Sequence, residues 1–110
     1  MKNICIMYVP VSNRKEGMRI AETLIGEKLA ACANIYPGVT SIYRWENKIC
    51  RETEHVLFMK TRKALFAKAM RRVKELHSYK CPCITAIPVT GANKEYVEWI
   101  MAETSRGKSK

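Results

Sequence analysis

The sequence predicts an α+β fold of the order βαββαβ, closed by one further helix. Three observations predict it. Short runs rich in β-branched and aromatic residues alternate with stretches whose apolar residues recur every three or four positions. The second and third of these runs follow one another across a tight-turn signal, with no helix between them. A chain of 110 residues has room for one hydrophobic core and not two.

Residues 4–9, Ile4-Cys5-Ile6-Met7-Tyr8-Val9, form the first strand and stop at Pro10. Asn13, with Glu16 three residues later, makes a start resembling a capping box. Met18, Ala21, Leu24, Ile25 and Leu29 then mark one face of a helix over about 13–30. Residues 31–45 are extended, interrupted by Pro37-Gly38, a pair that reads as a kink or bulge near an edge. Glu46-Asn47 is a hairpin turn, since Asn tolerates positive φ. A long strand returns over 49–61. The second helix covers 63–77, with Leu65, Ala69, Val73 and Leu76 on its inner side. Residues 84–89 are the fourth strand, Gly91 breaks the chain and Asn93 caps a third helix marked by Tyr96, Val97, Ile100 and Met101. This order is the split βαβ, or ferredoxin-like, pattern with an extra C-terminal helix. Residues 1–104 make one domain, and 105–110 read as a basic flexible tail.

The strands are apolar on both faces. Ile4, Ile6 and Tyr8 oppose Cys5, Met7 and Val9, and Val56 and Phe58 oppose Leu57 and Met59. A two-layer fold with one wet sheet face shows clean alternation instead. Three short helices cannot cover both faces, so a symmetric oligomer is expected to cover the second.

With 47% hydrophobic and 27% charged residues, the chain is not disordered. No run approaches the ~20 apolar residues of a membrane span, and no leader is read at the N-terminus. The five cysteines are odd in number and lack framework spacing, which points to reduced thiols and a cytoplasmic location. Net charge is +10, with Lys60, Arg62, Lys63, Lys68, Arg71, Arg72, Lys74 and Lys80 set against Glu75 alone. Such a patch could attract nucleic acid, an anionic membrane or an acidic ligand. A solvated helix face is the preferred reading, so neither nucleic acid nor membrane is expected as a partner. No phosphate-binding loop, nucleophile elbow or paired-carboxylate site is present, so no enzyme activity is expected.

The run from Leu29-Ala30-Ala31-Cys32 through Tyr36-Pro37-Gly38 and Tyr43-Arg44-Trp45 to Ile49 resembles the signature of the CutA-type divalent-cation (copper) tolerance family. Val56-Leu57-Phe58-Met59-Lys60-Thr61, Lys74-Glu75-Leu76-His77-Ser78-Tyr79, Pro82 and Ala86-Ile87-Pro88-Val89 continue the match. The resemblance implies a ferredoxin-like fold built as a homotrimer, with sheets inward and helices outside. It also implies kinship in architecture with PII-type signalling proteins, which bind small ligands between subunits. The chain departs from the family where some members are implicated in copper binding. Val9 stands at the thiol position, Leu76-His77 replaces a His-His pair, and Lys80 and Cys83 replace two acids.

Two candidate sites follow. His77, Cys81 and Cys83 carry imidazole and thiols, good donors for copper or zinc. The bland alternative makes the two cysteines small apolar side chains on an inner strand face. Cys5 and Cys32 read as packing residues, and Cys50 lies beside the hairpin. The second site is the set Tyr43, Trp45, Lys60 and Tyr79, which the resemblance places at a cleft between subunits, suited to a small ligand. Interface packing, with Lys60 paired to Glu54, is its alternative. The function expected is that of a homotrimeric, non-catalytic divalent-cation tolerance protein, binding copper, another divalent cation or a small ligand between subunits. The alternative is a PII-like signalling or scaffold protein that binds a small anionic metabolite without metal.

Overall fold

The computed structural model describes residues 3–105. Its elements are β1 (Ile4–Val11), α1 (Arg14–Gly26), β2 (Cys32–Trp45), β3 (Lys48–Arg62), a 3-10 turn (Lys63–Leu65), α2 (Phe66–Leu76), β4 (Thr85–Pro88) and α3 (Lys94–Glu103). They build one four-stranded sheet, β2-β3-β1-β4, in which every neighbouring pair is antiparallel. This is the ferredoxin-like arrangement with the added helix. Of the expected tail, only Ser105 falls within the described residues.

Successive residues of a strand face opposite sides of the sheet. Cys5, Met7, Val9 and Val11 of β1 share one side with Leu57, Met59 and Thr61 of β3, and all are buried. Ile20, Ala21 and Leu24 of α1 and Ala69 and Val73 of α2 close over that side. Each large apolar side chain fully buried there contributes about 1.5–3 kcal/mol, which makes this layer the main source of stability.

The opposite side is covered by α3 at one end only. Ile4 and Ala31 are buried there against Val97 and Ile100. Arg62 holds the helix down, donating from Nε to Thr104 Oγ1 at 2.9 Å and from Nη2 to the Met101 carbonyl. Beyond α3 lie Ile6, Tyr8, Tyr36, Phe58 and Ile87. The Phe58 ring meets Tyr8 and Tyr36 edge-on, with centroids 5.6 and 5.3 Å apart. Tyr36 is 57% exposed and Ile87 42%. Both sheet faces are therefore apolar, and the described residues cover only one of them fully.

Local chemistry explains where the elements differ from the expected bounds. α1 stops at Gly26, four residues short of position 30, because Lys28 takes a left-handed φ of 62°. Lys28 N–H then donates to Ile25 O at 3.1 Å and Leu29 N–H to Leu24 O at 2.8 Å, a Schellman closure that turns Leu29 into the core. The second helix opens with a 3-10 turn and ends at Leu76, since His77 is extended with ψ 143°. β1 runs on through Pro10 to Val11, while β4 pairs only with Cys5 to Tyr8. Pro10 lies past the end of β4, where its missing N–H leaves no β4 partner unmatched. The fourth strand is correspondingly shorter than expected.

Two features match the turn chemistry. Glu46 and Asn47 both have positive φ, 49° and 67°, as a two-residue type I′ hairpin turn requires. At Pro37-Gly38 the pairing steps from Tyr36 opposite Val56 to Val39 opposite Glu54, a one-residue bulge with Gly38 at φ 65°.

Candidate functional site

That bulge decides what the hairpin presents. Before it, the even-numbered residues of β2 share the open face with Phe58 and Val56. After it, the odd-numbered ones do, so Val39, Ser41, Tyr43 and Trp45 stand beside Glu54, Glu52, Cys50 and Lys48 of β3. Without the extra residue, Tyr43 and Trp45 would fall on the helix side. Tyr79, Lys80, Cys81 and Cys83, from the segment 77–84 between α2 and β4, approach the same place. Together with Tyr8 and Pro10, all of these residues except Lys48 line an open cavity of about 730 Å³.

Hydrogen bonds pin the segment 77–84. Glu16, buried in the first turn of α1, accepts from Ser12 N–H and Oγ–H at 2.9 and 2.8 Å and from Ser78 N–H at 2.7 Å. Asn13 caps α1 by accepting from Glu16 N–H at 2.8 Å. The Glu16 side chain thus reaches Ser12 and not Asn13, one residue further back than in a capping box. Burial disfavours its charge, but these hydrogen bonds prevail and hold the carboxyl at about 2.

His77 is fully enclosed. Its Nδ1 accepts from Tyr79 N–H at 3.1 Å, which leaves the proton on Nε2, and Nε2 donates to the Pro10 carbonyl at 2.9 Å. Both nitrogens are thereby engaged, and His77 does not line the cavity that Cys81 and Cys83 line. Among the described residues, no three His, Cys, Asp or Glu side chains stand close enough to hold a metal ion together. His77 acts in this chain as a structural strut.

Of the four residues expected at a ligand cleft, three meet. Tyr43, Trp45 and Tyr79 line the cavity, and Lys60 does not. Lys60 pairs across β2 with Cys32, donates to Asn34 Oδ1 at 3.3 Å and sits 5.8 Å from the Tyr96 ring centre, near the end covered by α3. Its expected alternative partner, Glu54, is taken: Tyr79 donates its hydroxyl to Glu54 Oε2 at 2.6 Å. Burial, reinforced by that bond, pushes the Tyr79 phenol up. Loss of solvation and then Glu52 push Tyr43 the same way.

The sequence reading missed Glu52 and Glu54 as cavity groups. Their Glu-x-Glu spacing on a strand was the available signal, since it places both on one face. The thiols divide as well. All five cysteines are free; Cys5 is buried, and Cys32 lies 3.2 Å from Tyr96 Oη. Cys50, Cys81 and Cys83 line the cavity. Burial raises the Cys83 thiol, a hydrogen bond with Thr85 opposes this, and the charges of Glu54 and Cys81 add to the rise. In a chain of net charge +10, this cavity gathers carboxylates and thiols with Lys80 as its cation.

A family profile described as CutA1 divalent ion tolerance protein matches residues 5–103. The chain belongs to the CutA1 family. A CutA1 crystal structure from Oryza sativa superposes with a TM-score of 0.91 at 40% identity, covering 96% of each chain. The periplasmic divalent cation tolerance protein CutA of Archaeoglobus fulgidus does so with a TM-score of 0.90 at 40% identity, over 93% of this chain and 99% of that one. A chloroplastic CutA protein of Arabidopsis thaliana is 40% identical over 90% of this chain and 54% of its own length. The chain thus spans about half of that plant relative. The CutA1 description names ion tolerance and no catalysed reaction. Relatives carry chloroplastic and periplasmic designations, and among the described residues no helix is long and apolar enough to cross a membrane.

Proposed function

We propose that this chain is a non-catalytic divalent-cation tolerance protein, a homotrimer that holds a metal cation in the cavity between the β2–β3 hairpin and the segment 77–84. The observation that carries the reading is the composition of that cavity. Glu52 and Glu54 face into it with Cys50, Cys81 and Cys83, against the single cation of Lys80. Carboxylates and thiols are cation donors, and gathering them in a strongly basic chain runs against its overall field. Completed by donors from a neighbouring subunit, this set suits copper or zinc without His77. A small anionic metabolite would meet two carboxylates there, so the geometry favours the cation.

The trimer rests on the open face. Tyr8, Tyr36, Phe58 and Ile87 form an apolar, partly aromatic surface of the kind that interface cores use. Neighbouring subunits would wall the cavity and supply further donors. Five free thiols fit a reducing, cytoplasmic setting.

Titration of the purified protein with Zn(II), followed by calorimetry, tests the cation reading. Glu54→Gln and Glu52→Gln are expected to weaken binding by about tenfold or more, the scale of a lost charge-assisted contact. Binding equal to the parent in both variants overturns it. Light scattering tests the assembly, with a mass three times the 12.6 kDa chain expected.

A further inference from the structure

Among the described residues, neither Cys81 nor Cys83 packs in the core. Both residues are exposed, and neither belongs to an apolar cluster. The bland alternative, filling on an inner strand face, does not describe them, because β4 begins only at Thr85. They sit on a segment fixed at both ends: Ser78 and Tyr79 are bound to Glu16 and Glu54, and Thr85 enters the sheet opposite Tyr8. Pro82 between them has its φ locked by its ring, which limits the freedom lost when the two thiols converge on one ligand. Both line the cavity that Glu54 lines.

Coordination number selects the ligand. A structural Zn(II) site takes four donors, and among the described residues not even three converge. A soft monovalent d10 ion is satisfied by two thiolates in a nearly linear arrangement, and thiolates select such ions over harder ones. We propose that Cys81 and Cys83 form a two-thiolate site for a soft monovalent cation of the Cu(I) or Ag(I) type. This rests on the reading of the cavity as a cation site and extends it from divalent ions to soft monovalent ones. Binding forms two sulfur–metal bonds and releases both thiol protons to solvent, with no change of oxidation state, so affinity rises with pH.

The test is anaerobic titration of the full, reduced chain with Cu(I), in competition with a bicinchoninate chelator and followed by the thiolate-to-metal absorption band. One tight equivalent per chain is expected. Cys81→Ser and Cys83→Ser should each lose it, while Cys32→Ser, outside the cavity, keeps it. Circular dichroism should leave the two site variants unchanged, since both side chains are exposed. The proposal is overturned if either site variant retains the parent affinity, or if Cys32→Ser loses as much. Parallel Zn(II) titrations of Glu54→Gln separate the two readings. Loss of Zn(II) response in the parent with Cu(I) binding intact removes the divalent site alone. Zn(II) binding intact without tight Cu(I) removes the thiol pair alone.

Discussion

Ser78 donates its backbone N–H to Glu16 Oε2 at 2.7 Å across 62 residues of sequence, tying the first turn of α1 to the segment that carries the cavity thiols. The folded carboxyl lies at about 2 against an ordinary 4.5. Between those values the unfolded chain binds more protons than the folded one, so stability rises with pH through that window. The contribution is complete above about 4.5 and is lost as pH falls to about 2. Its size is on the order of 3 kcal/mol. Glu16→Gln should therefore cost most at pH 7 and little at pH 2 in urea unfolding. An equal cost at both pH values would show that the charge is not what the hydrogen bonds stabilise.

Phe58 and Met59 are adjacent in sequence and face opposite ways, so the same substitution should fail differently at each. Met59 is completely buried under the helices. Met59→Asp places an unpaired charge in that layer, a loss of more than about 4 kcal/mol, and should abolish the cooperative melt. Phe58 sits on the open face between Tyr8 and Tyr36. Phe58→Asp should keep helical circular dichroism while light scattering reports a single chain. A Phe58→Asp protein that still sediments as the parent would remove this face from the interface.

The element order, the hairpin turn and the double-sided strands are legible in the sequence because each rests on local chemistry: period-two apolarity, Asn47 at positive φ, Pro37-Gly38 at a bulge. The site was legible in part. Tyr43 and Trp45 could be placed on one face from parity, but their meeting with Tyr79 depends on the bulge shifting parity and on the path of 77–84. No pattern predicts that path, since Glu16, Pro10 and Glu54 set it from remote positions. Lys60 joins that set in the sequence through its apolar flanks and the resemblance. Its Asn34 and Tyr96 neighbours come from another strand and from α3. Residue type and the resemblance put His77 among the candidate ligands, and only its burial and two ring hydrogen bonds show it as a strut.

Tyr79→Phe isolates the bond to Glu54. The ring is retained and only the hydroxyl is lost, which leaves a buried carboxylate oxygen without its 2.6 Å donor. A cost of about 1–3 kcal/mol is expected from the unsatisfied group. Spectrophotometric titration should also lose one phenol that ionises above the ordinary tyrosine range, since burial and Glu54 push Tyr79 up. Tyr43 and Tyr96 are pushed up as well, so the number of high-pH phenols decides: an unchanged number would mean that the Tyr79–Glu54 bond does not persist in solution.

The end of α1 carries a mismatch between residue and conformation that can be inverted. Lys28 occupies the left-handed position of a Schellman closure, where a side chain costs about 1 kcal/mol and glycine costs nothing. Two residues earlier Gly26 is the last helical residue, and a Cβ built there meets no atom within 4 Å. Glycine at a helical position is worse than alanine by about 0.5–1 kcal/mol. Lys28→Gly and Gly26→Ala should each raise the urea midpoint by an amount corresponding to about 0.5–1 kcal/mol, with the slope of the transition unchanged. Lys28→Val, β-branched and forced to the same φ, should lower it. The two gains act on different backbone positions of one turn, so the double variant tests whether they add. A Lys28→Gly protein no more stable than the parent would mean that α1 does not end in this closure, and that Leu29 reaches the core by another route.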